Sequence, residues 1–180
     1  MSKILVLIVG IIFNPLLNHT VEISEKIMNR AEKQIEKQFK EQVDLQLFNP
    51  TISTEESINS SFYHLKSNAG EKLGIAVITH ANGCLVGGCS IDNKNQSRYE
   101  KFYILSIYNE KKELIRLHIL EYPGEHGYEI TTKWWLKQFL GSSDTKFKYR
   151  QNIDALSGAT VSSQTVVNEV NQINAIISSF

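Results

Sequence analysis

Apolar residues recur every fourth position through Ile23, Ile27, Ala31, Ile35 and Phe39, with Glu, Lys, Gln and Arg filling most places between them. That period predicts an amphipathic helix over 21–39, with one stripe packed and the opposite face in water. The charges of Glu32, Glu36, Lys33, Lys37 and Lys40 need no explanation beyond that solvated face. The period then falls to two at Val43, Leu45 and Leu47, a short strand ended by Asn49-Pro50. Residues 53–60 begin with a capping-box pattern, Ser53-Thr54-Glu55-Glu56, and predict a brief helix.

Further on, 62–66 and 73–79 read as strands joined by the turn Ser67-Asn68-Ala69-Gly70. Residues 102–108 and 114–120 are apolar on both faces and flank a polar turn at 109–113, so they predict a central hairpin covered on both sides. Thr131 or Thr132 can start a helix that carries Trp134, Trp135, Leu136 and Phe139 and stops at Gly141; at least one of the adjacent Trp side chains belongs to the core. A last strand is expected at 145–149, with Lys146, Lys148 and Arg150 on its polar side. Val166, Val167, Val170, Ile173 and Ile177 then repeat at helical spacing. This order predicts an α+β fold: a mostly antiparallel sheet, flanking helices and a C-terminal helix.

At 180 residues the chain suffices for a single domain over 21–180 behind a segment at 1–20. That segment, Met1-Ser2-Lys3 followed by the apolar run 4–13, reads as a targeting signal and is shorter than the roughly 20 residues a spanning helix needs. No small-x-small cleavage site follows in 14–20, so a cleaved signal peptide and an uncleaved N-terminal anchor both remain, with a buried strand as the competing reading. The expectation is an exported protein, periplasmic or membrane-anchored and facing the periplasm.

Lys plus Arg and Asp plus Glu number 19 each, so no basic field exists to attract nucleic acid. Nothing in the chain resembles a nucleophile–His–acid triad, a paired-carboxylate site or a phosphate-cradling P-loop. Cys84 and Cys89 form a C-x4-C pair in a Gly-rich turn. Export allows them a local disulfide, ahead of free thiols and then of redox or metal chemistry.

The candidate chemistry lies near the end, in Asp154-Ala155-Leu156-Ser157-Gly158-Ala159-Thr160. Thr160 falls at the start of the last predicted helix, where unpaired backbone N–H groups and the positive end of the helix dipole suit a phosphate. No basic residue occurs from Gln151 to Phe180, so the backbone would carry that role. The bland reading of the same stretch is a helix cap.

This heptapeptide resembles the flavinylation motif of the FMN-binding domain family: Asp, two variable residues, Ser or Thr, Gly, Ala, Thr. The family includes the flavin-carrying subunits of sodium-pumping NADH:quinone reductase and of Rnf complexes. The resemblance implies FMN joined by a phosphoester to Thr160, attached from FAD by a separate flavin transferase, with Asp154, Ser157, Gly158 and Ala159 as motif partners. The family's Glu-Thr-Pro-Gly-Leu-Gly turn, which borders the flavin, corresponds to Glu121-Tyr122-Pro123-Gly124-Glu125-His126-Gly127, one residue longer and with Tyr122 in place of Thr. Glu121 and Gly124 are thereby candidate contacts. His126 is either a partner for the flavin edge or a solvated loop His. The implied function is an extracytoplasmic electron carrier serving membrane or extracytoplasmic redox partners, rather than a stand-alone enzyme. Its competitor is a flavin-free secreted binding or structural module in which Ser157 to Thr160 only begin a helix.

Overall fold

The computed structural model describes residues 23–50, 59–85, 99–123 and 127–180. Helix α1 (Glu25–Phe39) precedes strands β1 (Val43–Phe48), β2 (Ser60–Ser67), β3 (Lys72–Leu85), β4 (Tyr99–Tyr108) and β5 (Glu113–Glu121). A helical stretch follows, made of a 3-10 turn (Tyr128–Thr131), the short α2 (Lys133–Leu136) and a second 3-10 turn (Lys137–Phe139). The two-residue β6 (Gly141–Ser142) and the long α3 (Thr160–Ser178) complete the order.

The six strands form one sheet in sequence order, and every pairing is antiparallel. The fold is therefore α+β, as the sequence pattern predicts. Short polar turns return the chain beside the strand it has just left at β2–β3 and β4–β5, whereas longer connections join the other neighbours. Between β4 and β5 the Asn109 side chain accepts from the Lys111 and Glu113 backbone N–H groups at 2.9 and 3.0 Å, which fixes the turn.

Alternation along the strands sorts side chains onto two faces. Ile75, Val77, Phe102 and Ile104 pack with α3 and α2 residues in one core, whereas Ala76, Ile78, Leu105 and Ile107 pack with Ile27, Ala31 and Ile35 of α1 in another. Helices on both faces explain why the central strands are apolar on both sides. Among the described residues no helix is long and apolar enough to cross a membrane.

The expected strand at 145–149 does not join the sheet. The Asn171 side chain on α3 accepts from the Phe147 N–H at 2.8 Å and donates to its carbonyl at 2.9 Å, taking the place of a neighbouring strand. Only an isolated bridge links Tyr149 to Ile153. Thr132 does sit at the N-cap of α2, but its hydroxyl bonds back to the Glu129 carbonyl instead of capping. The segment 1–20 and positions 53–58 of the expected helix fall outside the described residues; its last two positions, Asn59 and Ser60, are not helical, and Ser60 opens β2.

Candidate functional site around Thr160

Every third residue of the motif loop is an anchor: Ile153, Leu156 and Ala159 are buried in the α3-side core. The residues between them, Asp154, Ala155, Ser157 and Gly158, are exposed, as is Thr160. Gly158 holds φ at +78°, a left-handed turn that other residues adopt only at a cost. The buried positions thus fix the loop while its polar positions face outward.

Two side chains from the α2 stretch clamp the loop's entry. Trp135, fully buried, donates from Nε1 to the Asp154 carbonyl at 2.9 Å, and Gln138 Oε1 accepts from the Asp154 N–H at 2.9 Å. The Gln138 Nε2 is buried without a partner. Trp134 is exposed, so the adjacent Trp residues divide between core and surface.

Helix α3 begins at Thr160, and its N-cap is Ala159, which makes no side-chain cap. A helix start leaves the first amides without intrahelical acceptors, and an Ala at that place typically costs about 1 kcal/mol against Ser, Thr or Asp. Burial outweighs that loss. Val166, Val167, Val170, Ile173 and Ile177 are all buried, each side chain contributing about 1.5–3 kcal/mol. Ser163, buried one turn in, donates back to the Ala159 carbonyl. The start of α3 therefore keeps unpaired donors beside an exposed Thr hydroxyl.

Tyr149 lies beside the start of α3. Its hydroxyl is buried and lies beside Ser163, Thr160 and the Leu156 backbone, without a hydrogen bond of full geometry to any of them. Burial pushes its pKa up, but Ser163, Thr160, the Leu156 backbone and Arg150 together outweigh burial and bring it below the ordinary tyrosine value. The Arg150 guanidinium lies 5.8 Å from the Tyr149 ring centroid.

Tyr122 also meets the start of α3, its hydroxyl 3.0 Å from Ser162 Oγ. A Cβ placed on Gly127 would lie 2.7 Å from the Tyr122 hydroxyl, and Gly127 holds φ at +82°, so Gly is required there. A Cβ on Gly83 would lie 3.3 Å from Ser162 Oγ, so the end of β3 also reaches this helix start. Gly83 near the end of β3, and Tyr122 and Gly127 after β5, thus all lie beside the motif.

The structure brings Asp154, Ser157, Gly158, Ala159 and Thr160 together. It does not bring the Glu121 carboxylate to them: that group pairs with Lys26 and Arg30 of α1, on the other face of the sheet. Gly124, His126 and Cys89 lie outside the described residues, as does the Cys84 side chain, so the expected disulfide falls there too. Tyr149, Gln138 and the Tyr122–Ser162 pair are absent from the sequence expectations. The replacement of Thr by Tyr122 was the one local signal for any of them.

Two orphaned buried polar atoms lie along the motif, Gln138 Nε2 at its Asp154 end and Tyr149 Oη at a helix start with spare amide donors. This donor set fits a phosphate-bearing polar ligand. A family model described as FMN-binding domain matches residues 73–174, which contain the whole motif. No curated protein matches the chain.

Proposed function

Because the chain belongs to the FMN-binding domain family, we propose that the FMN is carried covalently, by a phosphoester to Thr160 Oγ1, and that the protein is an extracytoplasmic electron carrier. The observation behind the attachment point is the exposed Thr160 hydroxyl on a helix whose N-cap is an Ala. Were the motif only a cap, one of its hydroxyl or carboxylate side chains would occupy the N-cap and bond the first-turn amides. None does, which disfavours the flavin-free module. Attachment falls to a separate flavin transferase, with FAD as donor and AMP as the leaving group.

Once bound, FMN supplies the electron-transfer chemistry, and the chain supplies position and electrostatics. First-turn amides of α3 and the helix dipole would hold the phosphate oxygens, with the Tyr149 hydroxyl beside them. Trp135 and Gln138 hold Asp154 at the loop entry, and Tyr122 holds the helix start through Ser162. With no Lys or Arg from Gln151 to Phe180, oriented backbone dipoles carry the anion.

The test is production beside an active transferase. The denatured protein should keep flavin fluorescence, and colour lost on denaturation would refute covalent attachment. The location follows from the apolar run behind Lys3. Cell fractionation should recover the protein with the periplasm or membrane, and a wholly cytosolic mature protein would refute export.

A further inference from the structure

On the side of the α2 stretch away from the Asp154 clamp, a cleft of about 450 Å³ opens between α1, β5 and α2. Leu136 and Leu140 contribute to an apolar wall, and Lys37, Arg116, His118, Lys133 and Lys137 come from three different elements to line the rest. Among the described residues no Asp or Glu lines it. Like charges gathered in a concave place repel one another and focus a positive potential there.

Arg116 is the centre of this arrangement. Its Nη1 and Nη2 donate to Gln38 and Gln34 of α1 at 3.1 and 3.0 Å, and both acceptors are neutral amides. Its Nε is buried without a partner. The ion pairs found among the described residues join Lys26 and Arg30 to Glu121, and neither involves Arg116. A half-buried guanidinium ordinarily has a counter-charge, because desolvating a cation without one is costly. Here each glutamine takes one N–H of a terminal nitrogen and leaves that nitrogen's second N–H for an outside acceptor. Beside it, burial, then Arg116, Lys133 and Lys37, hold the His118 imidazole below its usual pKa, consistent with a positive field in this space.

We propose that this cleft binds a phosphomonoester bearing an apolar body, with its oxygens on Arg116, Lys133 and Lys137 and its apolar part against Leu136 and Leu140. Four formal positive charges favour a dianion over a monoanion. The volume suits a small molecule or the head of a larger one. The site is separate from Thr160 and does not rest on the flavin reading.

Hexyl phosphate is the probe, titrated into the protein as purified and into Thr160→Ala, with calorimetry and the His118 NMR signals as readouts. Expected is saturable binding, equal in the two proteins, that raises the His118 pKa and weakens at least tenfold in a Lys133→Gln/Lys137→Gln double variant. Both lysines are exposed, so folding survives their replacement. Hexanol should not bind, and inorganic phosphate should bind more weakly than the ester. Absence of saturation, binding unchanged in the lysine variant, or binding lost in Thr160→Ala would each overturn the proposal. Vesicles containing phosphatidic acid separate the sources. Co-sedimentation that hexyl phosphate competes away assigns the ester to a lipid headgroup, and hexyl phosphate binding without co-sedimentation assigns it to a soluble molecule.

Discussion

Thr160 is presented by its neighbours: Ala159 below it is buried, Gly158 before it turns the chain at φ +78°, and Ser163 takes up the Ala159 carbonyl. Asp154, Ser157 and Thr160 were legible in the sequence because their spacing is local. Tyr149, Trp135 and Gln138 were not, because their contacts with the motif cross loops and leave no period to read. Tyr149 also sat in a segment that reads as a strand, which directs attention to its backbone rather than its hydroxyl. That hydroxyl is buried without a formed bond, so Tyr149→Phe should leave the unloaded protein as stable as wild type or up to about 1 kcal/mol more stable. In the flavin-loaded protein the same change should move the phosphoester 31P signal. Destabilisation beyond about 1 kcal/mol, or an unmoved 31P signal, would remove Tyr149 from the phosphate's surroundings.

Among the elements, α3 connects the site to the fold. Its valines and isoleucines predicted both the helix and the buried face, because a period of 3.6 records which side meets the sheet. Its asparagines carried no such signal, yet they do two structural jobs. Asn171 satisfies the Phe147 backbone, which is why an extended run at 145–149 stays out of the sheet. Asn174, buried, accepts from the Tyr108 hydroxyl of β4 at 2.7 Å. Burial pushes the Tyr108 pKa up, so the hydroxyl stays a donor at all ordinary pH. Tyr108→Phe should cost about 1–3 kcal/mol in denaturant unfolding, since the Asn174 Oδ1 would remain buried without its donor. A neutral result would mean that α3 relaxes freely on the sheet. The hairpins were legible from turn chemistry and two-sided apolar strands; the α2 stretch was less so, because its mixed 3-10 and α turns break any single period.

For the whole molecule, one antiparallel sheet separates α1 from α3, so the paired Glu121 carboxylate and the motif lie on opposite faces. The same layering half-buries one acid on α3: Glu169, raised by desolvation from 4.5 to about 7. Between those values the folded chain holds a proton that the unfolded chain has released, so the stability from this group is full below about 4.5 and is lost as pH rises through about 7. Glu169→Gln should therefore gain on the order of 1–2 kcal/mol over wild type at pH 8 and nothing at pH 4. An equal effect at both pH values would contradict burial of the ionised form. The central claim is that Thr160 carries the flavin, and intact mass under denaturing conditions tests it directly. Wild-type protein made beside an active flavin transferase should carry the mass of one FMN less water. Thr160→Ala, folded by circular dichroism, should carry none. A folded Thr160→Ala protein that still holds one covalent flavin would contradict the account.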